Sequence, residues 1–280
     1  MQQLLGLWQM NFFRMALGVG LLLSVCSSLL GVTLVLRRCS MISDGLSHVG
    51  FGALAVAAAL GWAPLPVALP AVVVAAIFLL RSSKLRGDAA IALLSTSCLA
   101  LGVLAVALKG GSNTELMNYL FGSLWAVRQS DLWVSLALCA VTLLCFGWFH
   151  HRVFSVTFDE TFARATGVRT GWFQIFTAAL TSLTIVLGMR MLGTMLISSL
   201  VIFPALIAMR VCKSFRAVTL CAAVVSVACF LAGFFFSALW KPMGAGRDLP
   251  TGATIVAVNV LCFGVFSLIG FLLERRKFRC

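Results

Sequence analysis

The stretch SMISDGLSHVG, residues 40–50, sets Asp44 and His48 four residues apart among serines and glycines, inside an otherwise apolar run. On a helix that spacing is one turn, so a carboxylate and an imidazole share a face. Ser40, Ser43, Asp44, Ser47 and His48 all fall within an arc of about 140° at 100° per residue, while Ile42, Leu46 and Val49 lie opposite. A carboxylate at mid-bilayer costs about 3 kcal/mol on the gentlest scale, so such a stripe faces a bundle interior or a hydrated path. Three readings are open for the pair. Imidazole and carboxylate from adjacent turns suit a divalent transition metal, and a site with only two such ligands can both take up and release an ion. The pair could instead bond each other or a neighbouring helix, or it could relay protons.

The chain that must position this pair is 280 residues long, with 61% hydrophobic residues, 10% charged residues and a mean hydropathy of +1.08. A soluble domain carries about 25% charged residues. Apolar runs recur at 13–35, 41–62, 64–81, 88–109, 131–149, 172–188, 193–209, 217–239 and 251–272. The expected fold is therefore all-α: a polytopic membrane protein of about eight to nine transmembrane helices in a single domain, 1–280. The segment 114–128 reads as a short re-entrant helix, and Pro204, inside SSLVIFPALIAMR, is expected to kink its span.

The net charge of +13 is a topology signal rather than a nucleic-acid surface. With the N-terminus outside and the C-terminus in the cytoplasm, 15 of the 21 Lys and Arg residues, Arg37 and Arg38 among them, fall on the inner side. The ten cysteines have no zinc-finger spacing and read as reduced core and cytoplasmic-face thiols. His150 and His151 adjoin Arg152 at a membrane boundary and read as interfacial.

One sizeable piece, residues 150–170, lies outside the expected spans and on the cytoplasmic side. Asp159 and Glu160 suit the start of a short helix and Gly167 its end. Phe158, Phe162, Ala163 and Thr166 then form one partly apolar face, which is either a plain surface helix or a docking helix for a cytoplasmic partner. No Gly-Lys pair occurs anywhere in the chain, so there is no phosphate-cradling P-loop, and HExxH and GxSxG are also absent. The chain is not expected to be an enzyme, and ATP-powered transport would need another subunit to bind the nucleotide.

Six blocks, RRCSMISDGLSHVGFGALAVA, DAAIALLSTSCLALGVLAVAL, NYLFGSLWAVRQSDL, FDETFARATGV, MLGTMLISSLVIFPALIA and DLPTGATIVAV, run in order across nearly the whole sequence. Together they resemble the permease subunits of bacterial ATP-binding-cassette importers for zinc, manganese and iron. The resemblance implies a fold similar to vitamin B12-type importer permeases, in the bacterial cytoplasmic (inner) membrane. It implies a pair of permeases, identical or related, over cytoplasmic ATP-binding subunits, with an extracytoplasmic metal-binding protein delivering the ion. Asp44 and His48 match the family's metal-contacting Asp and His. Ser40, Ser43 and Ser47 would flank the path, with Ser40 and Ser47 orienting the pair. The FDETFARATGV block matches the segment that couples to the ATPase, with Asp159, Glu160, Ala163 and Gly167 at the matching positions and Phe158 and Phe162 on the same coupling segment. No cofactor is expected beyond the transported ion. The rival reading is a proton-coupled secondary metal transporter that works through Asp44 and His48 without an ATPase.

Overall fold

A computed structural model describes residues 11–81, 87–110, 122, 129–239 and 250–277. Among these residues there are eleven helices and no strand. They are α1 Asn11–Leu36, α2 Met41–Leu60, α3 Pro64–Arg81, α4 Gly87–Leu108, α5 Gln129–Trp148, α6 His150–Phe158, α7 Glu160–Ala165, α8 Thr170–Leu192, α9 Thr194–Val211, α10 Phe215–Leu239 and α11 Thr251–Lys277. Seven are long and apolar enough to cross a membrane; α5 and α6, bent by 82° at Phe149, give an eighth only when the pair is counted as one span. The third expected span contains a shorter apolar helix, Pro64–Leu79. Pro70 lies within α3. The expected re-entrant helix at 114–128 falls outside the described residues apart from Gly122.

Helices keep nearly all backbone hydrogen bonds within the segment, which is what a bilayer demands of a span. One buried cluster gathers α1, α5, α8, α9 and α10 around Phe13, Leu23, Leu30, Leu200 and Phe230. A second gathers α2, α3, α8 and α9 around Leu46, Phe51, Val72, Ile185 and Ile197. Helices α8 and α9 contribute to both, so α2 is seated against a pair of helices that also holds α1.

Two features fix α2 in place. Its C-terminus is closed by Gly61 in the left-handed conformation, with the amides of Gly61 and Trp62 donating to the carbonyls of Ala58 and Ala57. Lys109, at the end of α4, adds its ammonium to the Ala58 carbonyl at 2.6 Å, a cation at the negative end of the helix. Along its length α2 lies close on α4: a Cβ on Gly52 would stand 2.5 Å from the Cys98 carbonyl oxygen. Small residues at such a crossing let two membrane helices pack backbone to backbone.

Pro204 is buried inside α9, which continues as one helix across it. The break in this region comes earlier. Gly193 separates α8 from α9 with φ 89° and ψ 159°, a combination open essentially to glycine alone.

Residues 150–170 hold the start of α8 and, before it, two short helices rather than one. Asp159 is extended (φ −145°, ψ 101°) and ends α6 after Phe158. Its carboxylate then accepts from the Phe162 amide at 2.9 Å and from the Thr161 hydroxyl at 2.6 Å, which is N-capping of a new helix. Phe158 therefore belongs to α6 and does not share a helix face with Phe162 and Ala163.

Candidate metal site

The site begins at the corner between α1 and α2. Arg38 adopts φ +59°, the only non-glycine positive φ among the described residues. Around it the Cys39 amide donates to the Leu34 carbonyl and the Arg38 amide to the Val35 carbonyl, closing α1 in a Schellman arrangement. Helix α2 starts three residues later and places Asp44 in its first turn, at the positive end of the helix dipole.

His48 follows one turn on. Its Nε2 stands 3.7 Å from Asp44 Oδ2, too far for a hydrogen bond, with the imidazole 20% and the carboxylate 50% exposed. Two such donors can both lie about 2.1 Å from a single ion, the usual Zn–N and Zn–O distance. The other imidazole nitrogen, Nδ1, is buried and has no hydrogen-bond partner among the described residues. Among the described residues no third His, Cys, Asp or Glu joins the pair, so these two side chains are the set that they offer.

The three serines of the stripe do not reach the carboxylate. Ser40, at the N-cap position, makes no side-chain capping bond. Ser47 is buried and donates to the backbone carbonyl of Asp44 at 2.7 Å, and the buried Ser43 hydroxyl is unpartnered among the described residues. The hydroxyl that does approach the carboxylate comes from α9: Ser198 Oγ lies 3.3 Å from Asp44 Oδ1 and 3.0 Å from the Thr194 carbonyl oxygen. Sequence reading missed Ser198, which looks like one more small residue in an apolar helix. Gly193 puts it there, because the turn at that position starts α9 one turn before Ser198. Met41 and Met195, one turn ahead of Asp44 and Ser198 respectively, are both more than half exposed. The pair thus opens onto a face that the described residues leave uncovered.

At the other candidate surface, Ala163 is buried, whereas Phe158 and Phe162 are exposed. Phe158 and Phe154 form an aromatic cluster with Phe215 at the start of α10. Glu160 is held twice, by Arg164 at 2.6 Å and by Gln174 of α8 at 2.6 Å. A solvent-exposed ion pair contributes little to stability, so the consequence is positional: α7 is fixed to the start of α8. Gly167 turns the chain with φ +83°. The Thr161 hydroxyl and the Phe162 amide hold the Asp159 carboxyl below the usual carboxylate range. His151 Nε2 lies 3.3 Å from an Arg216 guanidinium nitrogen, at the exposed end of α6.

Residues 9–270 match the ABC 3 transport family. The chain belongs to this family. Its relatives include the high-affinity zinc uptake system membrane protein ZnuB of Haemophilus influenzae, 29% identical over 90% of this chain and 95% of that protein. The manganese import system permease protein ScaB of Streptococcus gordonii is 27% identical over 92% of this chain and 91% of that protein. Among solved structures, PsaBC from Streptococcus pneumoniae in complex with Fab superposes with a TM-score of 0.81 at 25% identity, covering 95% of this chain and 94% of that one. The family member described here is a multi-pass membrane protein and the transport subunit of an ATP-binding-cassette system, not its ATPase.

Proposed function

We propose that this permease passes a divalent transition-metal ion, zinc or manganese, between Asp44 and His48. The observation that carries this reading is the 3.7 Å separation of Asp44 Oδ2 and His48 Nε2 on a helix most of whose other residues are buried. The chain is the membrane-spanning subunit of an ATP-binding-cassette metal importer. The relatives named for zinc and for manganese support the choice of those two ions over iron.

The ion arrives from an extracytoplasmic binding protein. At the pair, imidazole and carboxylate replace part of its water shell without enclosing it, so it can leave again. A second permease, placed over the uncovered face that holds Asp44, Met41 and Met195, brings its own equivalent pair and completes the coordination. The chain lies in the bacterial cytoplasmic membrane with its N-terminus outside. Helices α6 and α7 then face the cytoplasm, and their exposed Phe158 and Phe162, with Asp159 and Glu160 beside them, dock the ATP-binding subunit. ATP-driven movement there alternates access to Asp44 and His48. Membership of an ATP-binding-cassette family weighs against an ATPase-independent, proton-coupled carrier.

The test is co-purification and ATP hydrolysis with the ATP-binding subunit in lipid nanodiscs. Metal-loaded binding protein is expected to stimulate hydrolysis, and the more effective of zinc and manganese identifies the cargo. Asp159→Lys with Glu160→Lys is expected to weaken the association. Unchanged co-purification of that double variant would place docking elsewhere.

A further inference from the structure

Arg37 connects the two sites just described. It is the first residue beyond α1, and its Nη2 donates to the main-chain carbonyl oxygen of Val156 at 3.0 Å, a link across 119 residues of sequence. Val156 lies in the last turn of α6, where helix carbonyls run out of amide partners and a cation is favoured. The guanidinium thus caps α6 just before Asp159 starts α7. Burial pushes the Arg37 pKa down, while the neighbouring Cys39 and the carboxylate of Glu160, in the first turn of α7, push it back up. Glu160 is itself tied to Gln174 of α8. On one side, then, Arg37 holds the junction of α6, α7 and α8.

On its other side Arg37 leads directly into the rigid corner. Arg38 is in the left-handed region and the corner amides are committed to Leu34 and Val35. A non-glycine residue holds that conformation only where its surroundings over-determine it. Such a corner does not yield like a loop. Arg37 is thus joined through Arg38 and Ser40 to the first turn of α2, where Asp44 stands.

We propose that Arg37 is the residue that transmits movement of the α6–α7 segment to the metal pair, by holding the Val156 carbonyl at the α1–α2 corner. This rests on the reading that α6 and α7 dock the ATPase and that Asp44 and His48 hold the ion. Arg37 touches neither nucleotide nor metal; its role is positional.

The experiment uses Arg37→Gln in the full complex with its ATP-binding subunit and metal-loaded binding protein, in proteoliposomes. The variant is expected to keep the ATPase bound and to hydrolyse ATP, but to move about tenfold less metal per ATP, within the usual range of a coupling energy. A second readout is amide exchange over residues 42–48, compared between nucleotide-free and vanadate-trapped complexes. The difference between those states is expected in the wild type and absent in the variant. An unchanged ratio of metal to ATP, or an exchange difference that persists in the variant, overturns the proposal. So does loss of the ATPase from the variant, which would make Arg37 a support of the docking surface alone. Arg37→Lys, which keeps the charge and can reach one acceptor, is expected to give an intermediate ratio and takes over if the glutamine variant does not reach the membrane. Failure of the underlying reading shows separately: the Asp159→Lys, Glu160→Lys variant would then retain its ATPase.

Discussion

Ser198 of α9 and Asp44 of α2 stand 3.3 Å apart, hydroxyl to carboxylate, although 154 residues separate them in the chain. The hydroxyl has one proton and two acceptors in reach, Asp44 Oδ1 and the Thr194 carbonyl oxygen at 3.0 Å. When the proton points at Oδ1, Oδ2 is left facing His48. A hydroxyl that orients a ligating carboxylate typically affects metal affinity about 10- to 100-fold. Ser198→Ala is therefore expected to raise the KM for metal uptake by about tenfold while leaving ATPase association intact. Ser198→Thr, which keeps the hydroxyl, is expected to restore most of the affinity. Metal-dependence curves for uptake into proteoliposomes decide the matter.

Gly193 gives a backbone prediction. With φ 89° and ψ 159° it occupies a region essentially closed to residues with a Cβ, and forcing one there costs about 1–3 kcal/mol. Gly193→Ala should lower the thermal unfolding temperature in detergent and, by shifting the start of α9, weaken metal affinity as Ser198→Ala does.

Gly52 makes a paired test of helix packing. A Cβ there would sit 2.5 Å from the Cys98 carbonyl oxygen, so α4 must move away, at a cost of about 1–3 kcal/mol for overpacking. Gly147, near the end of α5, has open space at the same position. Gly147→Ala is expected to be neutral or slightly stabilising, and Gly52→Ala clearly destabilising, in thermal melts of the two variants.

Asp159 starts α7 through its side chain, which sets both a mutational and a pH expectation. Asp159→Asn keeps an acceptor for the Phe162 amide and should retain most ATPase association; Asp159→Ala removes it and should lose more. The folded pKa is depressed, so the capping contribution is complete above the unfolded carboxylate value of about 4 and is lost as pH falls through the lower folded value. Association should thus show no titration from this group between about pH 6 and 8.

The helices were legible because a bilayer leaves the sequence little choice: runs long enough to span it must be helical, and α1, α2, α8, α9, α10 and α11 sit where the apolar runs are. Asp44 and His48 stood out for the same reason, as polar groups in an apolar run. Their neighbours were harder. A helical wheel put Ser43 and Ser47 on the same arc as Asp44, but which side of that arc is covered depends on α4, α8 and α9, and both serines are buried. Ser198 carries no periodic signal, since its approach to Asp44 depends on the turn at Gly193. Pro204, the usual helix breaker, lies inside α9, and the chain divides α8 from α9 at Gly193 instead. In residues 150–170 the pattern marks Asp159 as lying near a helix start, yet the extended backbone that separates Phe158 from Phe162 goes with a capping bond that pattern alone does not reveal.

On the reading proposed above, the ion passes between Asp44 and His48. The most direct test of that reading is uptake of radioactive zinc or manganese into proteoliposomes holding the permease, its ATP-binding subunit and loaded binding protein, for wild type, Asp44→Ala and His48→Ala. Both variants are expected to insert, to retain the ATPase and to lose ATP-driven uptake of the ion that the wild type carries. Wild-type uptake by both variants, with the complex intact, would contradict the assignment.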